Sequence, residues 1–401
     1  LPGETLPEAD AIVNPNLPDD GFDSKALAGV GVVFYLLLAV RQALRTNGSP
    51  GADADLSSLL DLVAIGTVAD MVKLDANNRR LVRAGLARIN QGRCQPGVKA
   101  LAQISGLALG KITETDIGFR IGPKINAAGR LEDMALGIEC LLADDFDRAL
   151  DIAESLHGIN LQRQELQQDM LDQAGQALEE APAQAEASEK RARILFGPSW
   201  HPGIVGLVAS KMKDLWHRPV LVFAPSEPGS DELRGSARSI PGFHIRDALA
   251  HVDALHPGLI ARFGGHAMAA GLTLTHQNLV RFNEAFESVA AAWIAEADLQ
   301  SVFWTDGPLM RHEFNRDTAL AIHAAGPWGQ GFAYPLFDNV FDVMTWQVLK
   351  EKHLKLQLAL PGLNSLVEAI HFNGYHGKPP PKRARAVYEL QTNDFREGLS
   401  F

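Results

Sequence analysis

Residues 193–223 constrain the fold more than any other part of this sequence. Two apolar runs, 193–196 and 220–223, flank a helical pattern over 203–215. A strand, a helix and a second strand in this order predict a βαβ unit, whose two strands pair in parallel. The pattern continues with a helix over 245–252, a strand over 271–274 and a closing amphipathic helix over 279–296. We therefore predict an α/β domain over residues 192–297.

The regions on either side of this domain have different patterns. The preceding residues predict helices over 24–44, 56–65, 78–89 and 97–105, then a helical pattern over 131–178 and a linker at 183–189. The following residues predict short strands over 340–349, 353–360, 366–372 and 385–390, which are typical of a small β-barrel. The other predicted domains are therefore 1–130, a connecting helix and linker over 131–191, and a barrel over 298–401.

The longest apolar run covers residues 26–40. Its 15 residues fall short of the roughly 20 that a helix needs to span a bilayer, so we predict a buried helix and no membrane partner. The chain has only two cysteines, Cys94 and Cys140. That number excludes a disulfide scaffold and a zinc site with four Cys ligands, and it favours a cytoplasmic protein.

The net charge of −11 argues, taken alone, against a nucleic-acid partner. Its distribution changes that argument, because residues 132–190 carry 3 basic and 15 acidic side chains, whereas residues 350–388 carry 7 basic and 2 acidic ones. One interpretation is an acidic solvated helix and an ordinary basic loop. The other is a cationic nucleic-acid surface kept apart from an acidic connector.

Under the second interpretation the predicted barrel binds single-stranded nucleic acid. Its basic candidates are Lys355, Lys382, Arg383 and Arg385. Aromatic residues that can stack on bases lie among them in the sequence, namely Trp346, Phe372, Tyr375 and Tyr388. Some aromatic rings must fill the barrel core instead, and we expect Phe372 to do so.

Asp70 follows a predicted helix and the compact residues 66–69. A carboxylate at such a position can be offered to a hard metal ion. The simpler alternative is that Asp70 caps the next helix.

A predicted Gly-rich loop over 118–129 leads to Arg130. Glycines and alanines leave backbone amides accessible there, and Lys124, Asn126 and Arg130 add side-chain donors suited to phosphate. The alternative is an ordinary loop before a helix.

Two further segments of the α/β domain carry donors for an anion. His201 lies between a strand and a helix, where the helix N-terminus can receive an anion; a capping histidine is the alternative. The segment 234–239 resembles an edge strand, and strand alternation turns Ser236 and Arg238 to one face. An exposed edge strand without a ligand is the alternative.

The segment 263–271, Phe-Gly-Gly-His-Ala-Met-Ala-Ala-Gly, is the strongest signal. Gly264 and Gly265 let a backbone pack against a ligand, and His266 brings a proton donor or acid to the same place. A lone histidine is usually structural, but the Gly-Gly-His-x-x-Ala-Ala-Gly frame favours a functional role.

In this order, the motifs resemble those of the DHH/DHHA1 phosphoesterase superfamily, and within it those of the RecJ family of bacterial single-stranded-DNA-specific exonucleases. The matching stretches are 62–70, 122–131, 201–210, 235–239 and 264–271. Residues 325–331 and 353–356 resemble the start of the family's OB-fold domain. The resemblance implies an α/β protein with a remnant of a DHH domain, a long connecting helix, an α/β DHHA1 domain and a C-terminal OB-fold-like β-barrel.

The resemblance also implies a function. Family members remove nucleotides from the 5′ end of single-stranded DNA in repair and recombination, using two Mn²⁺ or Mg²⁺ ions that activate a water molecule. By position, Asp70 matches a metal-binding Asp, and His266 matches the active-site histidine of the DHHA1 half. Arg130, Ser236 and Arg238 match positions expected to hold DNA phosphate. Single-stranded DNA is the implied partner, and a single-strand-binding protein is a second one.

The sequence departs from the family pattern in one respect. The Asp-rich motifs and the Asp-His-His triplet are absent, and in relatives that triplet directly precedes a segment like residues 1–4. We expect a fragment of a longer exonuclease that lacks most metal ligands, has an incomplete barrel and has no nuclease activity of its own. Two alternatives stay open: a short-oligonucleotide or cyclic-dinucleotide phosphodiesterase of the same superfamily, and a non-catalytic DNA-binding relative.

Overall fold

The computed structural model describes residues 6–179, 190–362, 366–393 and 398–400. The chain divides into two compact units. The first contains the described residues within 1–123, 138–153 and 303–401, and the second contains those within 124–137 and 154–302. The segment 1–4 and the predicted linker 183–189 lie outside the described residues.

Four helices form the N-terminal part of the first unit: α1 (Gly29–Thr46), α2 (Leu60–Ala69), α3 (Ala76–Asn90) and α4 (Pro96–Ile104). Phe34, Val63 and Leu81 belong to one buried cluster between them. Helix α3 begins where it does because the Asp75 carboxylate accepts a hydrogen bond from the Asn78 N–H at 2.8 Å, which caps the helix.

Helix α1 is less buried than the sequence predicts. An apolar pattern on all sides predicts burial on all sides. Phe34 is buried, but Val33, Leu36 and Val40 remain exposed. Among the described helices, α1 is the one that is long and apolar enough to cross a membrane, a test that core helices of soluble proteins also pass.

Residues 114–131 are helical, which corrects the predicted Gly-rich loop over 118–129. The elements are α5 (Glu114–Asp116), a π-helical segment (Ile117–Ile121) and α6 (Gly122–Leu131). A Cβ atom at Gly122 would lie 3.2 Å from the Cβ atom of Ala69. This glycine therefore permits close packing of helices and does not make the chain flexible.

The helical pattern over 131–178 forms two helices, not one. They are α7 (Ala135–Leu142) and α8 (Phe146–Glu179).

A five-stranded sheet organises the second unit. Its strands are β1 (Arg193–Phe196), β2 (Val220–Pro225), β3 (Glu232–Arg238), β4 (Arg262–Gly265) and β5 (Ala269–Thr275). β1 and β2 pair in parallel and α9 (Val205–Trp216) lies between them in the sequence, which confirms the βαβ prediction. The spatial order is β1-β2-β3-β5-β4. β3 is therefore an interior strand, and the prediction of an edge strand over 234–239 is wrong.

The two faces of this sheet enter two different cores, as strand alternation requires. Phe223 and Leu233 point into the core that includes α10 (Ile245–Leu255) and α11 (Leu279–Trp293). Val220 and Val222 point into the core that includes α9 and Met170 of α8. The face that carries Val222 is the one that positions the candidate site.

A second sheet forms the C-terminal part of the first unit. It contains β6 (Phe337–Leu349), β7 (His353–Ala359), β8 (Val367–His371), β9 (Arg383–Tyr388), β10 (Gln391–Asn393) and β11 (Gly398–Ser400). The order is β10-β11-β8-β7-β6-β9, and the pairing is antiparallel except between β11 and β8. The first four strands confirm the four predicted ones.

Tyr388, and not Phe372, fills the core of this curled sheet. Phe372 is 71% exposed and Tyr388 is 8% exposed, because β8 ends at His371 and leaves Phe372 in the following turn. The Tyr388 hydroxyl donates to Asn339 Oδ1 at 2.7 Å. Burial raises the pKa of Tyr388 above its ordinary value.

A cation–π contact and a backbone hydrogen bond join the C-terminal part to the helical part within the first unit. The Trp328 and Phe332 rings stack with centroids 4.7 Å apart, and the Arg79 guanidinium carbon lies 3.6 Å from the Phe332 centroid. The Leu74 N–H also donates to the Gln330 carbonyl at 2.7 Å. These contacts explain why the residues after 303 cluster with the N-terminal helices.

Candidate phosphate-binding site

The site begins at the N-terminus of α9 in the second unit. Ile204 occupies the N-cap position without a side-chain cap. The Leu207 N–H donates to the Ile204 carbonyl at 2.8 Å, so among the described residues the N–H groups of Val205 and Gly206 are the ones left without a capping acceptor. The helix dipole places partial positive charge at the same end. Together these two features favour an anion there.

His201 shapes the turn that leads into α9. Its Nδ1 accepts a hydrogen bond from the Gly203 N–H at 3.1 Å. Neutral His201 therefore carries its proton on Nε2 and can donate it to a ligand. The His201 side chain thus orders the turn before α9 but does not cap the helix, so the capping interpretation is wrong. Its role in binding an anion stays a prediction.

Arg238 and Ser236 lie on the sheet beside this helix end. Arg238 donates from Nη1 to Ser236 Oγ at 2.9 Å and from Nε to Ser210 Oγ at 3.2 Å. A Cβ atom at Gly206 would lie 3.1 Å from both Arg238 Nη2 and Ser236 Oγ. The absence of a side chain at Gly206 lets the guanidinium and hydroxyl approach the first turn of α9.

Arg130 reaches the same turn from α6. Its Nη1 donates to the Gly203 carbonyl at 3.4 Å, and a Cβ atom at Gly203 would lie 2.1 Å from the Arg130 carbonyl oxygen. The structure therefore brings Arg130, Ser236, Arg238 and His201 together, although they span more than a hundred positions of the sequence.

Burial lowers the pKa of Arg130 and of Arg238, and the positive charge of Arg130 lowers the pKa of Arg238 further. Burial, followed by the charge of Arg130, also lowers the pKa of Arg163 on α8. No carboxylate of the described residues lies within ion-pair distance of these three arginines. Half-buried positive charges without a counter-charge are costly, so the arrangement suits a bound anion.

Next to Ser236, the sheet surface carries two neighbouring glycines, Gly271 and Gly264, which we call the glycine floor. Ser236 pairs with Gly271 on β5, and Gly271 pairs with Gly264 on β4. A Cβ atom at Gly264 would meet no atom within 4 Å, and one at Gly271 would meet only a backbone oxygen at 4.0 Å. Packing inside the protein does not require these glycines, whereas the close approach of a ligand backbone would.

Gly265 has a different role from Gly264. A Cβ atom at Gly265 would lie 2.4 Å from the Ala269 carbonyl oxygen, so the hairpin itself requires this glycine. His266 follows in the turn, where its N–H donates to the Ala269 carbonyl at 2.8 Å and its side chain is exposed. Two strand spacings, about 10 Å, separate β4 from β3, so His266 lies at the far side of the glycine floor from Ser236.

Lys124 and Asn126 are placed differently from the sequence prediction. Both belong to α6, whose backbone amides are engaged in the helix. Lys124 is only 6% exposed and Asn126 is half-buried. The predicted cradle of free loop amides is therefore wrong, although Arg130 at the end of the same segment reaches the site.

Asp70 lies in the first unit, at the C-terminal end of α2. It is exposed, and α3 is capped by Asp75, which removes the alternative that Asp70 caps the next helix. A carboxylate at a helix C-terminus faces the negative end of the dipole. A bound cation would relieve this repulsion, so the position suits a metal ligand.

Three of the four basic candidates in the C-terminal sheet lie beside acids. Lys355 Nζ lies 2.8 Å from Glu368 Oε2, and Arg383 Nε lies 3.8 Å from Asp342 Oδ1. Arg385 contacts the buried Asp338. Lys382 is the remaining candidate and is exposed.

Comparisons with known proteins place this geometry in a family. Models of the DHHA1 domain and of the RecJ OB domain match residues 190–292 and 305–400. The single-stranded-DNA-specific exonuclease RecJ of Dickeya dadantii is 44% identical over 406 residues, which cover 99% of this chain and 69% of that protein. The RecJ of Escherichia coli is also 44% identical, over 100% of this chain and 70% of that protein. This chain belongs to the RecJ family.

Solved RecJ structures agree with this assignment. RecJ of Thermus thermophilus in complex with Mn²⁺ matches with a TM-score of 0.81 and 29% identity, over 100% of this chain and 55% of that one. Its complex with Mg²⁺ matches with a TM-score of 0.76 and 30% identity, over 95% of this chain and 55% of that one. The chain thus spans about half of the Thermus thermophilus RecJ chains that it matches.

Divalent metals accompany RecJ in those structures. The described residues contain no group of three or more His, Cys, Asp or Glu side chains that could hold a metal ion. The described residues therefore do not by themselves fit a complete two-metal site.

Sequence reasoning missed Arg163 and its partner Asn160. Both lie in the acidic segment 132–190, which the charge count presents as a solvated connector. A signal was present, because Asn160, Arg163 and Gln167 interrupt a stripe of α8 whose other positions are apolar and buried.

Proposed function

We propose that this chain binds the phosphate backbone of single-stranded DNA. It does so as part of a RecJ-type exonuclease that digests DNA from the 5′ end. The observation that carries the proposal is the convergence of Arg130, Ser236 and Arg238 on the N-terminus of α9, which has no side-chain cap. Among the described residues no carboxylate neutralises the two arginines. Such a cluster of donors has the chemistry of a phosphate site.

The proposed binding mode follows from these atoms. Arg238 presents its guanidinium, Ser236 its hydroxyl, and α9 its first-turn amides to one phosphate. The DNA backbone then crosses the glycine floor at Gly271 and Gly264, where a side chain would block it. His266, at the far side of the glycine floor from Ser236, donates a hydrogen bond or a proton to the DNA backbone there.

We propose that Asp70 supplies one metal ligand in the complete enzyme, which uses two Mn²⁺ or Mg²⁺ ions. In a full-length protein, Asp70→Ala should lower turnover by orders of magnitude and leave DNA affinity nearly unchanged. Wild-type turnover in that variant would contradict the assignment.

We also propose that the C-terminal domain contributes a stacking surface for bases. The Trp346 and Tyr375 rings stack with centroids 6.3 Å apart, and Trp346 is 42% exposed. Exposed aromatic rings on an OB-type sheet bind bases without sequence preference. This role favours long single strands over short oligonucleotides or cyclic dinucleotides.

The domain boundaries at 130, 191 and 297 remain our proposal, as do a cytoplasmic location and an interaction with single-strand-binding protein. They rest on the sequence pattern and on the family assignment.

The test is equilibrium binding of a labelled oligo(dT) strand to the 401-residue chain, measured by fluorescence anisotropy. Arg238→Gln should weaken binding by tenfold or more, because a hydrogen bond to a charged group contributes about 1.5–3 kcal/mol. The matched control is Arg246→Gln, which changes an exposed arginine of the same domain. Equal affinity of the two variants would contradict the proposed phosphate site.

A further inference from the structure

The buried stripe of α8 changes from apolar to polar in its middle. Positions spaced by four and three residues share one face of a helix. On α8 these positions are Leu156, Asn160, Arg163, Gln167, Met170 and Ala174. Leu156, Met170 and Ala174 are at most 3% exposed, and so is Asn160. Three polar residues thus interrupt a stripe that packs well at both ends.

The two amides of this interval hold Arg163. Arg163 donates from Nε to Asn160 Oδ1 at 3.2 Å and from Nη1 to Gln167 Oε1 at 3.0 Å. Neutral amide oxygens orient a guanidinium but leave its charge intact, whereas a carboxylate at either position would neutralise it. In the described contacts, Nη2 of Arg163 has no acceptor.

The location of Arg163 is fixed by its neighbours. Leu166, one turn further along α8, and Leu131, next to Arg130, pack against the same buried cluster as Ile204 and Val205 at the start of α9. Arg163 and Arg130 therefore flank the same helix end. The effect of Arg130 on the pKa of Arg163 is consistent with this proximity.

A purely structural arginine is a poor explanation for this position. Its charge is desolvated without an ion-pair partner in the part of the chain that the structure describes, and the stripe accommodates Met170 two turns later without that cost. The arrangement becomes favourable when an anion supplies the missing negative charge.

We propose that Arg163 is a third phosphate-binding guanidinium of the site at α9. The side-chain oxygens of Asn160 and Gln167 hold its guanidinium in position before the phosphate binds. This inference rests on the proposed function and deepens it. It assigns a ligand-binding role to α8, which lies outside both matched domain families.

The test measures binding of labelled oligo(dT) to the full chain at several salt concentrations. Arg163→Gln should weaken binding about tenfold or more, and should make the log–log salt slope less negative by about 0.7, the value for one phosphate contact on a single strand. Arg163→Lys should keep the slope but bind more weakly, because it loses the planar fork. The control is Arg148→Gln, which changes the other arginine of α8, and it should leave both quantities unchanged.

Asn160→Asp separates a binding role from a structural one. The carboxylate keeps the shape of the amide and gains an ion pair with Arg163, so the melting temperature should not fall. If Arg163 binds phosphate, its neutralisation should weaken DNA binding severalfold in this variant. If Arg163 is only structural, affinity should stay as in the unaltered chain, and that result would overturn the inference.

Arg238→Gln is measured alongside to distinguish a failure of the Arg163 assignment from a failure of the proposed phosphate site. Weaker binding in Arg238→Gln but not in Arg163→Gln or Asn160→Asp would overturn the role of Arg163 and leave the proposed function standing. Unchanged binding in all three variants would overturn both.

Discussion

The phosphate site at α9 and the basic sheet at the C-terminus contain similar residues in opposite electrostatic states. At α9, Arg130, Arg163 and Arg238 have no carboxylate partner among the described residues, and burial lowers their pKa values. On the sheet, Arg383 and Arg385 each contact an aspartate of β6. The sheet therefore pairs three of its four candidate DNA-binding basic residues with carboxylates, whereas the three arginines at α9 keep their charge unneutralised among the described residues.

The comparison teaches that counting charges along a sequence locates basic segments but not binding sites. Strand pairing decides the outcome on the sheet, because β6 and β9 are neighbours and place Arg385 beside Asp338. Burial decides it at α9, since an unneutralised guanidinium there is costly until an anion arrives.

The largest expected effect comes from removing two guanidiniums of the α9 site together. Arg130→Gln with Arg238→Gln should weaken single-stranded DNA binding by about 3 kcal/mol or more, which is over a hundredfold. Their loss removes repulsion between buried like charges, so the melting temperature should hold or rise. Anisotropy titration measures the DNA affinity, and calorimetry measures the melting temperature. A large loss of stability with unchanged DNA affinity would show that the two arginines stabilise the fold and do not bind phosphate.

The next effect tests the glycine floor. Gly264→Val adds a side chain into open space on a strand, so the fold should be retained while DNA binding falls by about tenfold, on the order of 1.4 kcal/mol. The matched control is Val280→Ala, an exposed position on α11. Circular dichroism establishes that both variants are folded, and unchanged affinity in Gly264→Val would remove the floor from the proposed path.

The sequence predicted the sheet elements well and the packing roles of glycines poorly. β1 was predicted with its observed bounds because a short apolar run between polar residues has few other structures available. The segment 118–129 was predicted as a loop because Gly118, Gly122 and Pro123 are breakers in isolation. Contact with α2 outweighs that propensity, since Gly122 lies against Ala69.

The site was predictable in part for the same reason. Ser236 and Arg238 were placed correctly on one face of a strand because alternation is a local property. That β3 is interior depends on pairing with β5, which is not local. Arg163 and Asn160 are not predicted, because a charge count over residues 132–190 does not show that some positions of this acidic segment form a buried stripe.

The third effect concerns the stacking surface of the C-terminal sheet. Trp346→Ala should weaken binding by about 1–3 kcal/mol, the range for one base stacked on an aromatic ring. The salt slope should not change, because no phosphate contact is lost. Phe372→Ala serves as a comparison, because this ring is exposed in a turn and contacts only His353 among the described rings. A change of slope in Trp346→Ala would indicate that the sheet acts through charge after all.

The smallest effect on binding is expected where the sequence carries most positive charge. Replacing Lys382, Arg383 and Arg385 with Ala should change DNA affinity by less than about threefold, because carboxylates already neutralise two of the three positive charges. Anisotropy titration measures the change. A tenfold loss of DNA affinity in the triple variant, with its stability intact, would show that the ion pairs open for DNA and that the sheet and the α9 site work by the same electrostatics.

Stability of the sheet should respond more than binding does to the loss of Arg385. Asp338 is 5% exposed and also accepts a hydrogen bond from the Thr305 hydroxyl at 3.2 Å, so without Arg385 a buried carboxylate loses its charged donor. We expect Arg385→Ala alone to lower the free energy of unfolding by about 1–3 kcal/mol, the cost of an unsatisfied buried polar group. Arg385→Ala with Asp338→Asn should recover part of that loss, because the amide carries no charge. Chemical denaturation of the two variants measures the difference, and equal stability of Arg385→Ala and the unaltered chain would mean that Asp338 does not need this arginine.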